Sequence, residues 1–217
     1  MGSSAANPTS NSSAVQRRGI LCVVSGASGS GKTTLCHALR DLEDCYYTVS
    51  CTTRAPRGDE VNGVHYHFLS DEEFVQKIEQ GEFLEHANVF GRRYGTLKSE
   101  VIPNIETGRD VVMDLDIQGA AQIRACEDPA IRASHIDAFI LVPMAELRRR
   151  LAERATESPE QLAKRQAEAQ IETAAWNLYQ YAITSTDRES DRAAMRAIIT
   201  AERHRASRLT LNDGYLK

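Results

Sequence analysis

Residues Gly26-Ala27-Ser28-Gly29-Ser30-Gly31-Lys32-Thr33 constrain this chain more than any other segment. They satisfy G-x-x-x-x-G-K-[ST] at every fixed position. They lie between an apolar run with β-branched members, Ile20 to Val24, and helix-forming sequence from Thr33 to Arg40. Glycines let backbone N–H groups curl round phosphate oxygens, and the helix behind them points its positive end at the same spot. Lys32 then offers a mobile cation to the β- and γ-phosphates, and Thr33 a hydroxyl to a Mg²⁺ ion. The stretch Gly26 to Thr34 is expected to bind a nucleoside triphosphate. By itself it does not choose between a kinase, an ATPase and a GTPase.

The remainder of the chain alternates in the same way. Asp110 to Asp114 and Phe139 to Val142 look like further buried strands, and Tyr181 to Thr184 like a last one. Thr48 to Thr53 looks extended, and Asn62-Gly63 suggests a hairpin turn between Val61 and Val64. Ser70 with Glu73 forms a capping box for a helix ending near Gly81. Further helices are expected over Gln118 to Cys126, Ala145 to Arg154, Pro159 to Leu178 with Ser158 as N-cap, and about Asp191 to Arg205. Strands alternating with helices imply an α/β fold, three layers around a largely parallel sheet. Residues 1–18 are rich in Ser, Asn and Ala without periodicity and are expected to be a disordered tail ahead of one domain, 19–217.

Composition excludes several classes. Of 217 residues 41% are hydrophobic, and 26 Lys+Arg against 30 Asp+Glu give a net charge of −4, an ordinary globular balance without the basic footprint of a nucleic-acid binder. The longest apolar runs fall well short of a membrane span, and the first residues lack a signal-peptide pattern, so neither a membrane nor nucleic acid is expected as a partner. Five cysteines without paired spacing read as reduced thiols in a cytoplasmic setting.

Arg54 and Arg57 lie three residues apart beside Pro56 and, with Tyr66 and Tyr94, are suited to clamp a second, separate phosphate group. Glu60 is near enough in sequence to orient one arginine by an ion pair. Asp114 and Asp116 close a buried strand, where side chains face the ligand crevice of such sheets; capping of the following helix is the alternative for a strand-end Asp. Arg150 and Arg154 are four apart and share a helix face.

The run from Ser50 to Phe68, followed by Gly81-Glu82-Phe83-Leu84-Glu85, Tyr94-Gly95-Thr96 and Asp114-Leu115-Asp116-Ile117-Gln118-Gly119, closely resembles the guanylate kinases, over roughly residues 19 to 185. The resemblance implies phosphoryl transfer from MgATP to GMP. It makes Gly26 to Thr34 the ATP loop and residues about 50–100 a GMP-binding subdomain. It makes about 147–165 a lid whose Arg150, Arg154 and Arg165 act with Lys32 on the transferring group. Arg54, Arg57, Tyr66 and Tyr94 match the residues that hold the GMP phosphate. Ser50 and Thr96 match guanine contacts, and Asp116 a residue near GMP. Asp114 matches the acid that, with Thr33, holds Mg²⁺ partly through water. Glu85 matches the base selector: one carboxylate accepts from both N1–H and the N2 amine of guanine, whereas adenine leaves it poorly paired.

One stretch departs from the family. Guanylate kinases commonly carry an Asn next to Asp residues close to the adenine of ATP; here the chain reads Thr184-Ser185-Thr186-Asp187, and the resemblance assigns no adenine contact. A guanylate-kinase-like scaffold that docks phosphopeptides is the non-enzymatic alternative; Gly26, Gly31, Lys32 and Thr33 speak against it, since such modules tend to lose a working phosphate loop. Another P-loop kinase with a related acceptor is the third. Whether the chain acts as a monomer or a homo-oligomer is left open.

Overall fold

Alternate residues of the run from Ile20 to Val24 part to opposite sides of a sheet. Ile20, Cys22 and Val24 belong to one buried cluster, Leu21 and Val23 to another. A strand apolar on both faces needs cover on both, which is why its sequence is a continuous run and not an alternation.

The computed structural model describes residues 15–41, 45–89, 91–153, 159–211 and Tyr215. The first half comprises β1 (Val15–Arg17), β2 (Leu21–Gly26), α1 (Lys32–Arg40), β3 (Cys45–Tyr47), β4 (Cys51–Thr52), β5 (His67–Phe68), α2 (Asp71–Glu79), β6 (Phe83–Val89), β7 (Arg92–Leu97) and α3 (Lys98–Glu106). There follow β8 (Asp110–Asp114), α4 (Ile117–Ala125), α5 (Pro129–Ser134), β9 (His135–Leu141), α6 (Met144–Glu153), α7 (Pro159–Ala174), β10 (Tyr181–Thr184), α8 (Arg188–Arg203) and β11 (Leu209–Leu211).

The central sheet has the order β10-β9-β2-β8-β3, and every neighbouring pair in it is parallel. Leu35 and Leu39 of α1, Leu147 and Leu151 of α6, and Met195 and Ile199 of α8 cover one face. Val101 and Ile105 of α3, Ile123 of α4 and Ile131 of α5 cover the other. The result is the expected three-layer α/β fold. A second sheet, β5-β4-β7-β6, stands apart with α2 and keeps its own small core, in which Phe74 stacks on Phe83 with ring centroids 4.3 Å apart. The capping box opens α2 as expected: Glu73 N–H donates to Ser70 Oγ, and the Glu73 carboxylate accepts from Ser70 N–H.

Three expectations are corrected. The disordered tail cannot extend to residue 18: β1 pairs antiparallel with β11, and Arg17 ion-pairs with Asp110; residues 1–14 lie outside the described residues. Asn62-Gly63 does turn the chain, with Val64 N–H bonded to the Val61 carbonyl, but no hairpin follows, because Asn62 bridges Tyr66 in the parallel sense. The helix from Pro159 stops at Ala174, and Trp176–Leu178 form a separate 3₁₀ turn; Ser158, its expected cap, lies outside the described residues.

Asp110 ties both ends of the described chain to the sheet. It is 1% exposed and accepts from the Ile20 N–H at 2.9 Å, from Arg17 at 2.5 Å and from Arg203 at 2.6 Å. Its loss would orphan a buried N–H, while both arginines can turn to water. Asp110→Ala is expected to lower the unfolding free energy by about 2–4 kcal/mol, and Asp110→Asn, which keeps one acceptor, by less. Urea unfolding checks this; an unchanged midpoint in the Ala variant would remove the clasp from the stability account.

Candidate active site

β2 delivers the chain to Gly26, and α1 starts at Lys32. Gly31, the N-cap, sits at φ 94, and no side chain caps the helix, so its first-turn N–H groups stay available to an anion. The loop already holds one: Ser28 N–H donates to Glu172 Oε2 of α7 at 2.9 Å, a carboxylate oxygen where a phosphate oxygen would serve equally. Lys32 Nζ donates to the Gly26 carbonyl at 3.2 Å. Arg150 of α6 donates to the carbonyls of Gly29 and Ser30, each at 3.4 Å, and to Glu146 at 2.7 Å.

Two clefts open from this loop. One, of about 680 Å³, runs from Gly29–Gly31 and Thr34 past Arg149 and Arg150 to Ser185 and the first turn of α8. The other, of about 870 Å³, runs from Thr33 and Asp114 between Tyr66 and Tyr94 to Glu85. They abut at neighbouring residues, Thr34 in the first and Thr33 in the second. Two ligands lying in them would meet at the N-terminus of α1.

Glu85 owes its place to an irregularity in β6. The register shifts between Phe83 and Glu85, so Phe83 enters the small core, Leu84 the main one, and Glu85 the cleft. Glu85 is 5% exposed. Burial pushes its carboxyl up to about 7, with Asp116 adding to the rise and hydrogen bonds from Thr96 opposing it. A Cβ at Gly119 would stand 3.1 Å from Glu85 Oε2, so a larger residue there would press on the carboxylate. Ser50 Oγ and Thr96 Oγ1 lie 3.2 Å apart beside it.

A model of the guanylate kinase family matches residues 18–202. The chain is 43% identical to the guanylate kinase of Clostridium perfringens (strain SM101 / Type A) over 90% of its own length and 89% of that protein's. To that of Caldanaerobacter subterraneus it is 42% identical, over 94% and 96% respectively. A crystal structure of guanylate kinase from Anaplasma phagocytophilum superposes with a TM-score of 0.73 at 31% identity, covering 90% of this chain and 92% of that one. The chain belongs to the guanylate kinase family.

Most residues that the family resemblance singled out converge. Ser50, Glu60, Tyr66, Glu85, Tyr94 and Asp116 line the second cleft, with Thr33 and Asp114 at its mouth. Arg54 stands behind Tyr66, its guanidinium carbon 5.3 Å from the ring centroid, and forks onto Glu60 at 2.8 and 2.9 Å. That pair holds the Glu60 carboxyl down to about 2. Glu60 also accepts from the Arg57 N–H at 2.8 Å, while the Arg57 side chain is exposed and does not line the cleft. Asp116 caps α4, accepting from the N–H groups of Gln118 and Gly119; both bonds use Oδ1, and the residue still lines the cleft. The helix-cap and ligand-facing alternatives for Asp116 therefore coexist.

The expected lid is brought together only in part. Arg150 touches the phosphate loop; Arg165, half-buried on α7, lines neither cleft; Arg154 lies outside the described residues. Tyr47 and Glu172 escaped sequence reasoning. Tyr47 donates to Asp114 Oδ1 at 2.5 Å, and no local pattern joins it to a residue 67 positions away.

Thr33 Oγ1 and Asp114 Oδ2 are 2.5 Å apart. Two hard oxygen donors at the foot of the phosphate loop fit Mg²⁺, which takes few protein ligands and completes its shell with phosphate and water. Among the described residues no cluster of three or more His, Cys, Asp or Glu offers a fuller cage.

Proposed function

We infer that this protein is a guanylate kinase that transfers the γ-phosphoryl group of ATP to GMP, giving ADP and GDP. The observation that carries the reading is the pair of abutting clefts, one beginning at the phosphate loop and the other ending at a buried carboxylate. ATP would lie along Gly29–Thr34. GMP would set its guanine on Glu85, Ser50 and Thr96, and its phosphate beside Tyr66, Tyr94, Arg54 and Arg57. A GMP phosphate oxygen then attacks the γ-phosphorus in line, and the bond to the β-bridging oxygen breaks as ADP leaves. Mg²⁺, held by Thr33 and Asp114 partly through water, would neutralise phosphate charge when bound.

The chain's own part is positioning and charge. Lys32 leaves the Gly26 carbonyl for the phosphates, and Arg150 exchanges loop carbonyls for phosphoryl oxygens as the segment about 147–165 closes with Arg154 and Arg165. Closure keeps water from the phosphoryl group. We assign the reaction to the cytoplasm, where five unpaired thiols stay reduced. No helix of the described residues is long and apolar enough to cross a membrane. The phosphopeptide scaffold is disfavoured by the intact loop. A coupled ADP-release assay with GMP, AMP, CMP and UMP tests the proposal: GMP alone is expected to turn over well. Equal turnover of AMP, or none of GMP, would refute it.

A further inference from the structure

Asp114 has a second partner that the reaction above does not use. Tyr47 of β3 lies beside Val112 of β8 in parallel register. Asp114 is two residues further along β8, so its side chain leaves the same face of the sheet. The Tyr47 hydroxyl reaches it diagonally and donates to Oδ1 at 2.5 Å. His37 of α1 packs on the Tyr47 ring, with ring centroids 4.8 Å apart. The same helix carries Thr33, whose hydroxyl donates to the other oxygen, Oδ2. Two strands and one helix thus hold this carboxylate from both of its oxygens.

The two bonds differ in what a metal would do to them. Thr33 is itself a candidate ligand, so its bond to Oδ2 is the one a cation would replace. Tyr47 has no such task, and its bond to Oδ1 can stay. A carboxylate only accepts, so a donor fixed on one oxygen sets its plane and leaves the other oxygen the freer ligand. Cations differ in what they ask of such an acid. Mg²⁺ demands near-ideal octahedral geometry and keeps several waters, whereas Ca²⁺ readily takes both oxygens of a carboxylate in a flexible shell. One oxygen offered in one direction suits the first and penalises the second.

We propose that Tyr47 is a positioning residue for the metal: its hydroxyl holds Asp114 with Oδ2 toward Thr33 and tunes the site to Mg²⁺ over Ca²⁺. The proposal rests on the assignment of Thr33 and Asp114 to Mg²⁺ and of the phosphate loop to ATP. It does not depend on the acceptor.

Tyr47→Phe deletes the hydroxyl and keeps the ring on His37; Tyr47→Leu deletes both. Each is compared with the parent by calorimetric titration of ATP in Mg²⁺, in Ca²⁺ and in chelator, without GMP. Metal binding by free ATP is common to all three proteins and cancels. The gain in ATP affinity conferred by Mg²⁺ should fall about tenfold in both variants. The gain conferred by Ca²⁺ should fall less, so the Mg²⁺/Ca²⁺ ratio drops, while affinity in chelator stays at the parent value. A merely structural tyrosine would weaken ATP equally in all three conditions, or in none. Either result would overturn the proposal, as would a loss confined to the Leu variant, which would credit the ring and not the hydroxyl. A parent protein indifferent to Mg²⁺ would overturn the metal assignment beneath it as well.

Discussion

Lys32→Ala is expected to lower kcat by about 10²–10³-fold while GMP binds as before. Lys32 is the lysine of the phosphate loop, and its present partner, the Gly26 carbonyl at 3.2 Å, is a neutral group easily exchanged for phosphate. Its charge matters most as negative charge gathers on the β–γ bridge, so the loss falls on the transition state. The cleft assigned to GMP is the other one, and Lys32 is not among the residues that line it. Steady-state kinetics with ATP, beside a calorimetric GMP titration, separates the two effects. Turnover near the parent value would remove Lys32 from the chemistry. Loss of GMP binding would instead show that the clefts are not independent.

Glu85→Gln is expected to cut the preference for GMP over AMP by about 10²–10³-fold. Glutamine keeps one acceptor for guanine N1–H but turns an amide donor toward the N2 amine, so two donors face each other across a dry contact. The same variant should erase a pH dependence. Guanine needs the ionised carboxylate, and burial has moved its titration up to about 7. GMP affinity should therefore be high above that pH and fall as the pH drops through it, by about tenfold between pH 8 and pH 6. Protonation of the GMP phosphate is common to parent and variant, so the difference between their profiles isolates Glu85. Parallel profiles, or unchanged GMP/AMP discrimination, would take Glu85 out of base recognition. In the ligand-free protein the raised titration acts in the opposite sense. Glu85's own contribution to stability is fully present below the unfolded value of 4.5 and is lost as pH rises through about 7.

What the sequence revealed was local. The phosphate loop, the strand Asp110–Asp114 and the Ser70–Glu73 box each fit inside a few residues, and each stands where patterning put it. What it concealed joins distant positions. Glu172 lies 144 residues from the Ser28 N–H it accepts from, and Asp110 lies 93 from Arg17, which patterning had consigned to a tail. No periodicity encodes such pairs. The Asn62-Gly63 dipeptide shows the converse failure. Its turn formed, but the flanking residues found other partners, so a valid local signal implied a false pairing. Helix α3 was hidden by Pro103, a breaker by habit, which the structure accommodates inside the helix. For the candidate site, motif order picked out Ser50, Glu60, Tyr66, Glu85, Tyr94 and Asp116, which line one cleft, but not Ser185 and Asp191, whose pairing joins a strand end to a helix.

The small sheet with α2 keeps an apolar nucleus of its own, Cys51, Phe74 and Phe83, and joins the main core through Leu84 of β6. A unit with a nucleus of its own can pivot as a stiff leaf, its inner packing intact while Leu84 slides against the main core. The energetic cost of each closing stroke then falls on that one seam and a few connecting segments, and the swing can be fast without being a partial melting.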